Sequence, residues 1–291
     1  MPDTTPLTLA DVVAVLEDLY PPATAEGWDS VGLIAGDPAA PVRKVLFAVD
    51  PVATVVDEAL EWGADLVVTH HPLFLKGVHS VAATTFKGSV VHRLVTAGVG
   101  LYNAHTNADS APRGVADALA DAVGLVDREP LVAHFDGAET GIGRVGRLPE
   151  PVTLGEFAQR VVDALPPVAQ GIRVAGDLEA AVERVAVVGG SGDSLFDAVR
   201  GAGADVYVTS DLRHHPASEL RERAGFENGT PFLVDTAHFA SEWPWLTYAA
   251  ADLTAGAQAR LAARGEEGTV TCKVSTRVTD PWTTTVRPIG R

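Results

Sequence analysis

Cysteine is almost absent from this chain, since Cys272 is the only one among 291 residues. An intrachain disulfide is therefore impossible, and a zinc site built on several thiolates is excluded. Any bound metal would have to be held by nitrogen and oxygen ligands. Such ligands suit zinc, iron, manganese and related divalent ions.

Basic residues are also scarce. The chain has 22 lysines and arginines against 38 aspartates and glutamates, which gives a formal net charge of −16. General nucleic-acid binding depends on basic surface that neutralises phosphates, so this class of function is not expected. An anionic small substrate is still compatible with the charge if a local cation receives it.

Long apolar runs are missing as well. The apolar stretches have about the length of a strand, well below the ~20 residues of a transmembrane helix, so no membrane partner is expected. No basic segment followed by an apolar block, the pattern of a signal peptide, is readable near the N-terminus, and we expect a cytoplasmic protein. The composition, 46% hydrophobic and 21% charged, is typical of a soluble globular protein.

Two parts of the sequence repeat each other. Residues 42–71 align without gaps on residues 182–211, with eight identical positions. Each copy reads as a strand, a helix, a Gly-Ala-Asp turn and a second strand, which is a βαβ unit suited to a parallel, covered sheet. We therefore predict an α/β fold of two similar domains from an internal duplication, residues 1–130 and 131–291. Two unrelated units of similar composition are the alternative.

A capped helix also occurs twice. The stretch TLADVVAVLEDLYPP begins at Thr8, and TLGEFAQRVVDALPP begins at Thr153. In each copy a threonine and an acidic residue three positions later suit a capping box, and a Pro-Pro pair ends the helix.

Polar residues collect where predicted strands end. In open α/β sheets ligands bind beyond the carboxyl ends of the strands, and imidazole with carboxylate is a typical metal-binding set. Two cations roughly 3.5–4 Å apart would activate a water, and a carboxylate could bridge them. The residues concerned follow three strands: His70 and His71 after DLVVT, His105 and Asp109 after GLYNA, and His238 and Glu242 after PFLVDTA.

Each of these residues also has a structural interpretation. Asp109 could cap a helix ahead of residues 111–112. His238 and Glu242 are four positions apart, but Pro244 suggests that the helix only starts near Ser241, so a paired helical motif is not invoked.

The loop GGSGDS, residues 189–194, lies between a predicted strand and a helix. Such a loop can cradle a phosphate with its backbone N–H groups. It matches neither the P-loop lysine pattern nor GxGxxG, and a tight turn is the favoured interpretation.

Several stretches, in order and spacing, resemble one family, the GTP cyclohydrolase I type 2 homologs, also called Nif-three-like dinuclear-metal-centre proteins. The chain is similar to the short form, without the domain that longer members insert between the halves. It departs from the usual family pattern at Ser30 and Ser210, where asparagine and glycine are common. The stretches that carry the resemblance are EGWDSVGL (26–33), VTHHPLF (68–74), NAHTNAD (103–109), GIGRVGRLPEPVTLGEFA (141–158), DVYVTSDLRHH (205–215), HFASE (238–242) and TDPW (279–282).

The resemblance implies two similar α/β domains with a pair of metal ions in the cleft between them, and a toroidal homohexamer built from trimers. Two divalent ions per subunit, zinc, iron or manganese, would be the cofactors. The ligands implied by the matching motifs are His70, His71, Asp109, His238 and Glu242.

The function expected from these features is a metal-dependent hydrolase acting on a nucleotide-like substrate such as GTP. Imidazole titrates near neutral pH, so His105, His214 and His215 are candidate catalytic proton carriers. A non-catalytic metal-holding assembly or adaptor protein is the alternative, because no sequence feature fixes a general base or a substrate pocket.

Overall fold

A computed structural model describes residues 6–286. Within them the chain forms two compact units, and neither is a single continuous stretch. The first runs up to Gly114 and resumes from Leu246 to Thr279, and the second covers Val115–Trp245 and continues from Asp280. Each unit contains a sheet and helices, so the predicted α/β class is confirmed.

Strands and helices alternate along much of the described part of the chain. The strands are β1 (Leu7–Thr8), β2 (Gly32–Ala35), β3 (Pro41–Val42), β4 (Lys44–Ala48), β5 (Leu66–Thr69), β6 (Gly100–Asn103), β7 (Val126–Ala133), β8 (Gly141–Thr153), β9 (Arg173–Ala175), β10 (Ala181–Ser191), β11 (Val206–Ser210), β12 (Phe232–Thr236) and β13 (Thr271–Val274). The α-helices are α1 (Leu9–Leu19), α2 (Ala53–Trp62), α3 (Phe86–Thr96), α4 (Thr106–Ser110), α5 (Val115–Ala122), α6 (Leu154–Ala164), α7 (Phe196–Gly201), α8 (His214–Phe226), α9 (His238–Glu242) and α10 (Trp245–Ala263). Among these described helices, none has the length and apolar character needed to cross a membrane.

The first unit is built on a five-stranded sheet in the order β13-β4-β5-β6-β2. Strands β13, β4, β5 and β6 are parallel, and β2 closes one edge antiparallel to β6. Every residue of β5 is buried, as expected for a parallel strand covered on both faces. Residues of α2 and α3, among them Val56, Ala59 and Leu94, pack with Leu46, Val67 and other strand residues in one core cluster.

The second unit is built on a six-stranded sheet in the order β7-β8-β10-β11-β12-β9. Its central strands β10, β11 and β12 are parallel, and β9 lies antiparallel to β12 at one edge. On the other side β8 and β7 extend the sheet antiparallel. Val199 of α7 and Leu220 of α8 share a buried cluster with Ala186, Tyr207 and Leu233 of the strands.

The predicted division at residues 130/131 differs from the observed units. The chain returns to the first unit because β13 pairs in parallel with β4, with Thr271 opposite Lys44 and Cys272 opposite Val45. Helix α5 belongs to the second unit, where it contacts β8 and β10. The periodicity of a short strand does not reveal a pairing partner more than two hundred residues away.

The two predicted capped helices are confirmed as α1 and α6. Thr8 and Asp11 form a complete capping box in α1, and Thr153 and Glu156 form the same box in α6. Each box satisfies backbone N–H groups that the first turn of a helix leaves without partners.

The repeated Gly-Ala-Asp turn has the same structural role in both units. Asp65 accepts hydrogen bonds from the backbone N–H groups of Arg43 and Lys44, at 2.7 and 2.9 Å. Asp205 accepts from the N–H groups of residues 183–184 at 2.9 and 2.8 Å. In each copy one carboxylate oxygen thus joins the turn to the parallel neighbouring strand, which explains why the aspartate recurs.

We expect Asp65→Ala and Asp205→Ala to destabilise the protein by similar amounts, about 2 kcal/mol each, because each removes a charged acceptor shared by two backbone donors. Asp→Asn at the same positions keeps an acceptor oxygen without the charge, and should cost less. Urea unfolding of the four variants measures this. Wild-type stability in either alanine variant would contradict the shared role.

Candidate metal centre

Three histidines of the first unit form a cluster, named the imidazole cluster: His70, His71 and His105. One ligand nitrogen of each lies within 4.8 Å of those of the other two. Their ring centroids are 5.1 to 5.6 Å apart. His70 and His71 directly follow β5, and His105 follows β6 and precedes α4. The ends of two adjacent parallel strands therefore supply the cluster, as expected for ligand sites of α/β sheets.

The end of β5 explains how two consecutive histidines reach one place. Side chains alternate between the faces of a regular strand. This strand stops at Thr69, whose hydroxyl donates to the carbonyl of His71 at 2.8 Å. The backbone N–H groups of His70 and His71 still bond to Ala48 and Val49 at the end of β4. The backbone of both histidines is therefore still bonded to the end of β4 where the chain turns, and both imidazole rings lie in the cluster.

Hydrogen bonds fix the orientation of both rings through Nδ1. The Nδ1–H of His70 donates to the carbonyl of Ala104 at 3.0 Å, and that of His71 to the carboxylate of Asp50 at 2.7 Å. A proton on Nδ1 leaves the lone pair on Nε2. This is the arrangement usual for metal-binding histidines, in which a carbonyl or carboxylate behind the ring sets the tautomer.

His105 is held in the same way, by a buried carboxylate. Its Nδ1–H donates to Oδ1 of Asp29 at 2.9 Å, and Oδ2 of Asp29 accepts from the backbone N–H and hydroxyl of Thr106 at 3.0 and 2.6 Å. Burial alone would raise the pKa of Asp29, but the bonds from His105 and Thr106 outweigh it and hold this pKa well below its usual range. Asp29 therefore stays ionised beneath the ring.

Asp109 lies beside the cluster. Its Oδ1 is 3.6 Å from Nε2 of His70, and its side chain is 22% exposed. Asp109 sits within α4, and the next helix, α5, starts only at Val115. Its interpretation as the cap of a helix ahead of residues 111–112 is therefore wrong. Its assignment as a metal ligand stays a prediction.

The second unit contributes two further candidate ligands, the His238–Glu242 pair. Both residues lie on α9, one turn apart, with His238 Nε2 2.9 Å from Glu242 Oε1. The expectation that the helix starts only near Ser241 is wrong, since α9 begins at His238 after the cap residue Ala237. Pro244 lies between α9 and α10 and so interrupts neither helix.

His238 has a carboxylate at each ring nitrogen. Its Nδ1–H donates to Oδ2 of Asp211 at 2.6 Å, while Nε2 faces Glu242, which is almost fully buried. The 2.9 Å contact between Nε2 and Glu242 is suited to a proton or a cation shared by the two groups. The bond from His238 is the main cause that lowers the pKa of Asp211.

The backbone around this pair is unusual at two positions. Asp211 has φ +56°, a left-handed conformation that is uncommon outside glycine. Gly190 has φ +70°, and a Cβ there would lie 2.6 Å from Glu242 Oε1 and 3.0 Å from His238 Nε2. Its N–H donates to the hydroxyl of Ser241 at 2.9 Å. Glycine at 190 therefore lets the end of β10 approach the pair.

The GGSGDS stretch is thus not a free loop. Residues 189–191 belong to strand β10, and a single 3₁₀ turn, Asp193–Leu195, follows. The favoured sequence interpretation as a tight turn holds only for its second half.

His214 and His215 lie at the start of α8 and are exposed, with ring centroids 5.2 Å apart. Within residues 6–286, neither belongs to a group of three potential ligands. Their role as proton carriers stays a prediction.

The sequence interpretation missed the acceptors that orient the rings. Asp29 stands in the quoted stretch EGWDSVGL, and Asp50 directly follows the apolar run of β4. Asp211 aligns with His71 in the internal repeat. For Asp50 and Asp211, the available signal was an aspartate at one strand end with a histidine at the end of the next strand. Asp29 lies in the loop before β2 and carried no such signal.

Comparison with known proteins gives the same family as the sequence motifs. The profile of the Duf34/NIF3 (NGG1p interacting factor 3) family matches residues 7–268. A Streptomyces coelicolor protein named GTP cyclohydrolase 1 type 2 homolog is 51% identical over 277 residues, covering 94% of this chain and 93% of the relative. A Mycobacterium tuberculosis protein of the same name is 37% identical, with 94% and 96% covered.

Solved structures give the same result. A Bacillus cereus protein related to NIF3 superposes with a TM-score of 0.83 at 25% identity, covering 97% of this chain and all of that one. A Staphylococcus aureus hypothetical protein reaches 0.82 at 27% identity, with 96% and 100% covered. With the family profile spanning most of its length and a relative at 51% identity, this chain belongs to the DUF34/NIF3 family.

Proposed function

We propose that this protein is a dinuclear-metal-dependent hydrolase acting on a nucleotide-like substrate. The observation that carries the proposal is that each of four histidines, three in the first unit and His238 in the second, has its Nδ1 bonded to a carbonyl or carboxylate. This pattern directs Nε2 toward a ligand. The name of the relatives, GTP cyclohydrolase 1 type 2 homolog, supports the nucleotide class.

The proposed metal ligands are five residues contributed by both units, as the family resemblance implies. Imidazole nitrogens and carboxylate oxygens suit zinc, iron and manganese, and the chain offers no thiolate set that would compete. We propose that two divalent ions are held by His70, His71, Asp109, His238 and Glu242.

Bound divalent ions would supply a water that is deprotonated near neutral pH and would polarise the electrophilic atom of the substrate. We propose His105 as the proton carrier. The ionised Asp29 behind its Nδ1–H stabilises the imidazolium, so His105 can take a proton at Nε2 and return it to the leaving group. Because Nε2 cannot both carry a proton and bind an ion, coordination by His105 in the imidazole cluster is the alternative to this role.

We also propose that the two units arose by internal duplication. Strands β4, β5, β6 and β2 follow the same order and directions as β10, β11, β12 and β9. The register agrees at aligned positions, since Val45 pairs with Leu66 and Val185 with Val206. The shared aspartate bonds at the Gly-Ala-Asp turns add to this support.

The alternative function is a metal-holding assembly or adaptor protein without turnover; for either function we propose a cytoplasmic homohexamer, as the family resemblance implies. The family description, NGG1p interacting factor 3, refers to partner binding and favours the alternative. The two functions differ in ligand response, because a ligand that binds the native state raises thermal stability. A hydrolase should be stabilised by at least one member of a nucleotide panel, whereas an adaptor should not.

We expect Asp50→Ala to weaken metal binding about 10- to 100-fold while all five proposed ligands stay in place, because His71 loses the carboxylate that orients it. Competition with a chromophoric chelator measures the affinity. His92→Ala, which removes an exposed histidine of α3, is the matched control and should bind as wild type. Wild-type affinity in Asp50→Ala would contradict the proposed role of that bond.

Gly190→Ala should weaken metal binding at least tenfold, although it changes no ligand. Its methyl group would press on Glu242 and His238. Gly201→Ala is the control, because nothing lies within 4 Å of the added carbon there. Circular dichroism confirms that both variants are folded. Equal affinity in the two variants would show that Gly190 does not shape the site.

His70→Ala should lower the turnover of metal-loaded protein on its best nucleotide at least 100-fold, because the ring that it removes is fully buried in the cluster. Product formation from GTP and a nucleotide panel, followed by chromatography, provides the measurement. Unchanged turnover in this variant would eliminate the proposed mechanism.

A further inference from the structure

Trp28 lies in the loop that precedes β2. Residues before and after it in this loop form hydrogen bonds with residues around His105. Before it, the backbone N–H of Glu26 donates to the hydroxyl of Thr106 at 2.9 Å. After it, Asp29 bonds to His105 and Thr106, and the carbonyl of Ser30 accepts from the Asn103 side chain at 2.9 Å. These bonds join the loop to the end of β6 and the start of α4, so the backbone that carries Trp28 is fixed.

Trp28 is nevertheless exposed. Its relative solvent accessibility is 61%, whereas the side chain of the adjacent Asp29 is fully buried. The indole is a large apolar surface, and a ligand that covered it would gain hydrophobic free energy. Because the backbone that carries the ring is already fixed, a ligand contact at Trp28 would cost less ordering of the loop.

The indole also borders the imidazole cluster. Its ring centroid is 5.9 Å from that of His105, and the two planes are nearly perpendicular, at 81°. A ligand lying on the indole would therefore be adjacent to the proposed metal and proton-transfer groups. The hydrogen bond from Nδ1 of His105 to Asp29 fixes the imidazole that a ligand on the indole would meet.

We propose that Trp28 is a stacking platform for a planar heteroaromatic ring, and that it orients the ring-bearing part of the substrate beside the imidazole cluster. The inference rests on the proposed function in that the reacting atom must lie at this cluster. It deepens that function by assigning recognition of the ring to one residue.

The chemistry of the surroundings favours a neutral ring over an organic cation. Indole faces attract both classes of ligand. Divalent ions in the neighbouring cluster would repel a cationic group, while a neutral heteroaromatic ring keeps the stacking energy without that repulsion. A nucleobase has this chemistry, and a sugar phosphate without a base does not.

The test compares Trp28→Ala and Trp28→Phe with wild type, and with Phe226→Ala, which removes an aromatic ring 91% exposed at the end of α8. Calorimetry with metal-loaded protein measures binding of guanosine, adenosine and the ring-free ribose 5-phosphate. Metal content is determined on the same samples. We expect the nucleosides to bind Trp28→Ala at least about tenfold more weakly than wild type, as for the loss of one aromatic stack. Trp28→Phe should recover part of the affinity.

Ribose 5-phosphate should bind equally to all four proteins, and all should hold the same amount of metal. Three results would overturn the platform: nucleosides that do not bind wild type, nucleosides that bind Trp28→Ala as tightly as wild type, or a Trp28→Ala protein that has lost its metal. A changed oligomeric state with unchanged nucleoside binding would assign Trp28 to a subunit contact instead.

Failure of the proposed function gives a different result. Wild-type protein that holds no divalent ion would refute the metal-dependent hydrolase. The comparison of nucleoside binding between wild type and Trp28→Ala can still be made on that metal-free protein, so the two proposals succeed or fail separately.

Discussion

The proposed site depends on one hydrogen bond per histidine, the bond from Nδ1–H to an oxygen behind the ring. Without it an imidazole at a strand end rotates and exchanges tautomers, and its metal-binding nitrogen has no fixed position. For His70, His71 and His238 the parallel sheet supplies the oxygen, because neighbouring strands end at the same edge, whereas His105 is held by Asp29 in the loop before β2. Asp50 follows β4 and holds His71 after β5, and in the second unit Asp211 follows β11 and holds His238 after β12. Both units thus place an aspartate after one parallel strand and the histidine that it holds after the next, although the two strand pairs are not equivalent in the repeat, where Asp211 aligns with His71.

Local chemistry made much of this structure predictable. The capping boxes at Thr8 and Thr153 predicted α1 and α6, and the apolar runs predicted the buried parallel strands. Two adjacent histidines after such a strand predicted a polar site at the sheet edge, and His70 and His71 lie together there. These signals depend on residues close in sequence, where helix period, strand burial and cap geometry act directly.

The features that could not be predicted depend on contacts between distant segments. The bond between Asp29 and His105 joins residues 76 apart in sequence. The pairing of β13 with β4 returns residues 246–279 to the first unit. The start of α9 was misread because Pro244 was taken as the first turn of one helix, whereas it separates two. The close approach of Gly190 to the side chain of Glu242 could be recognised only in the structure.

Anomalous diffraction from crystals grown with zinc or manganese tests the central claim most directly, because it locates each ion relative to individual nitrogens. The account predicts peaks about 2 Å from Nε2 of His70, His71 and His238, with every Nδ1 still bonded to its oxygen. Peaks on Nδ1, or ions bound only at other residues, would contradict it.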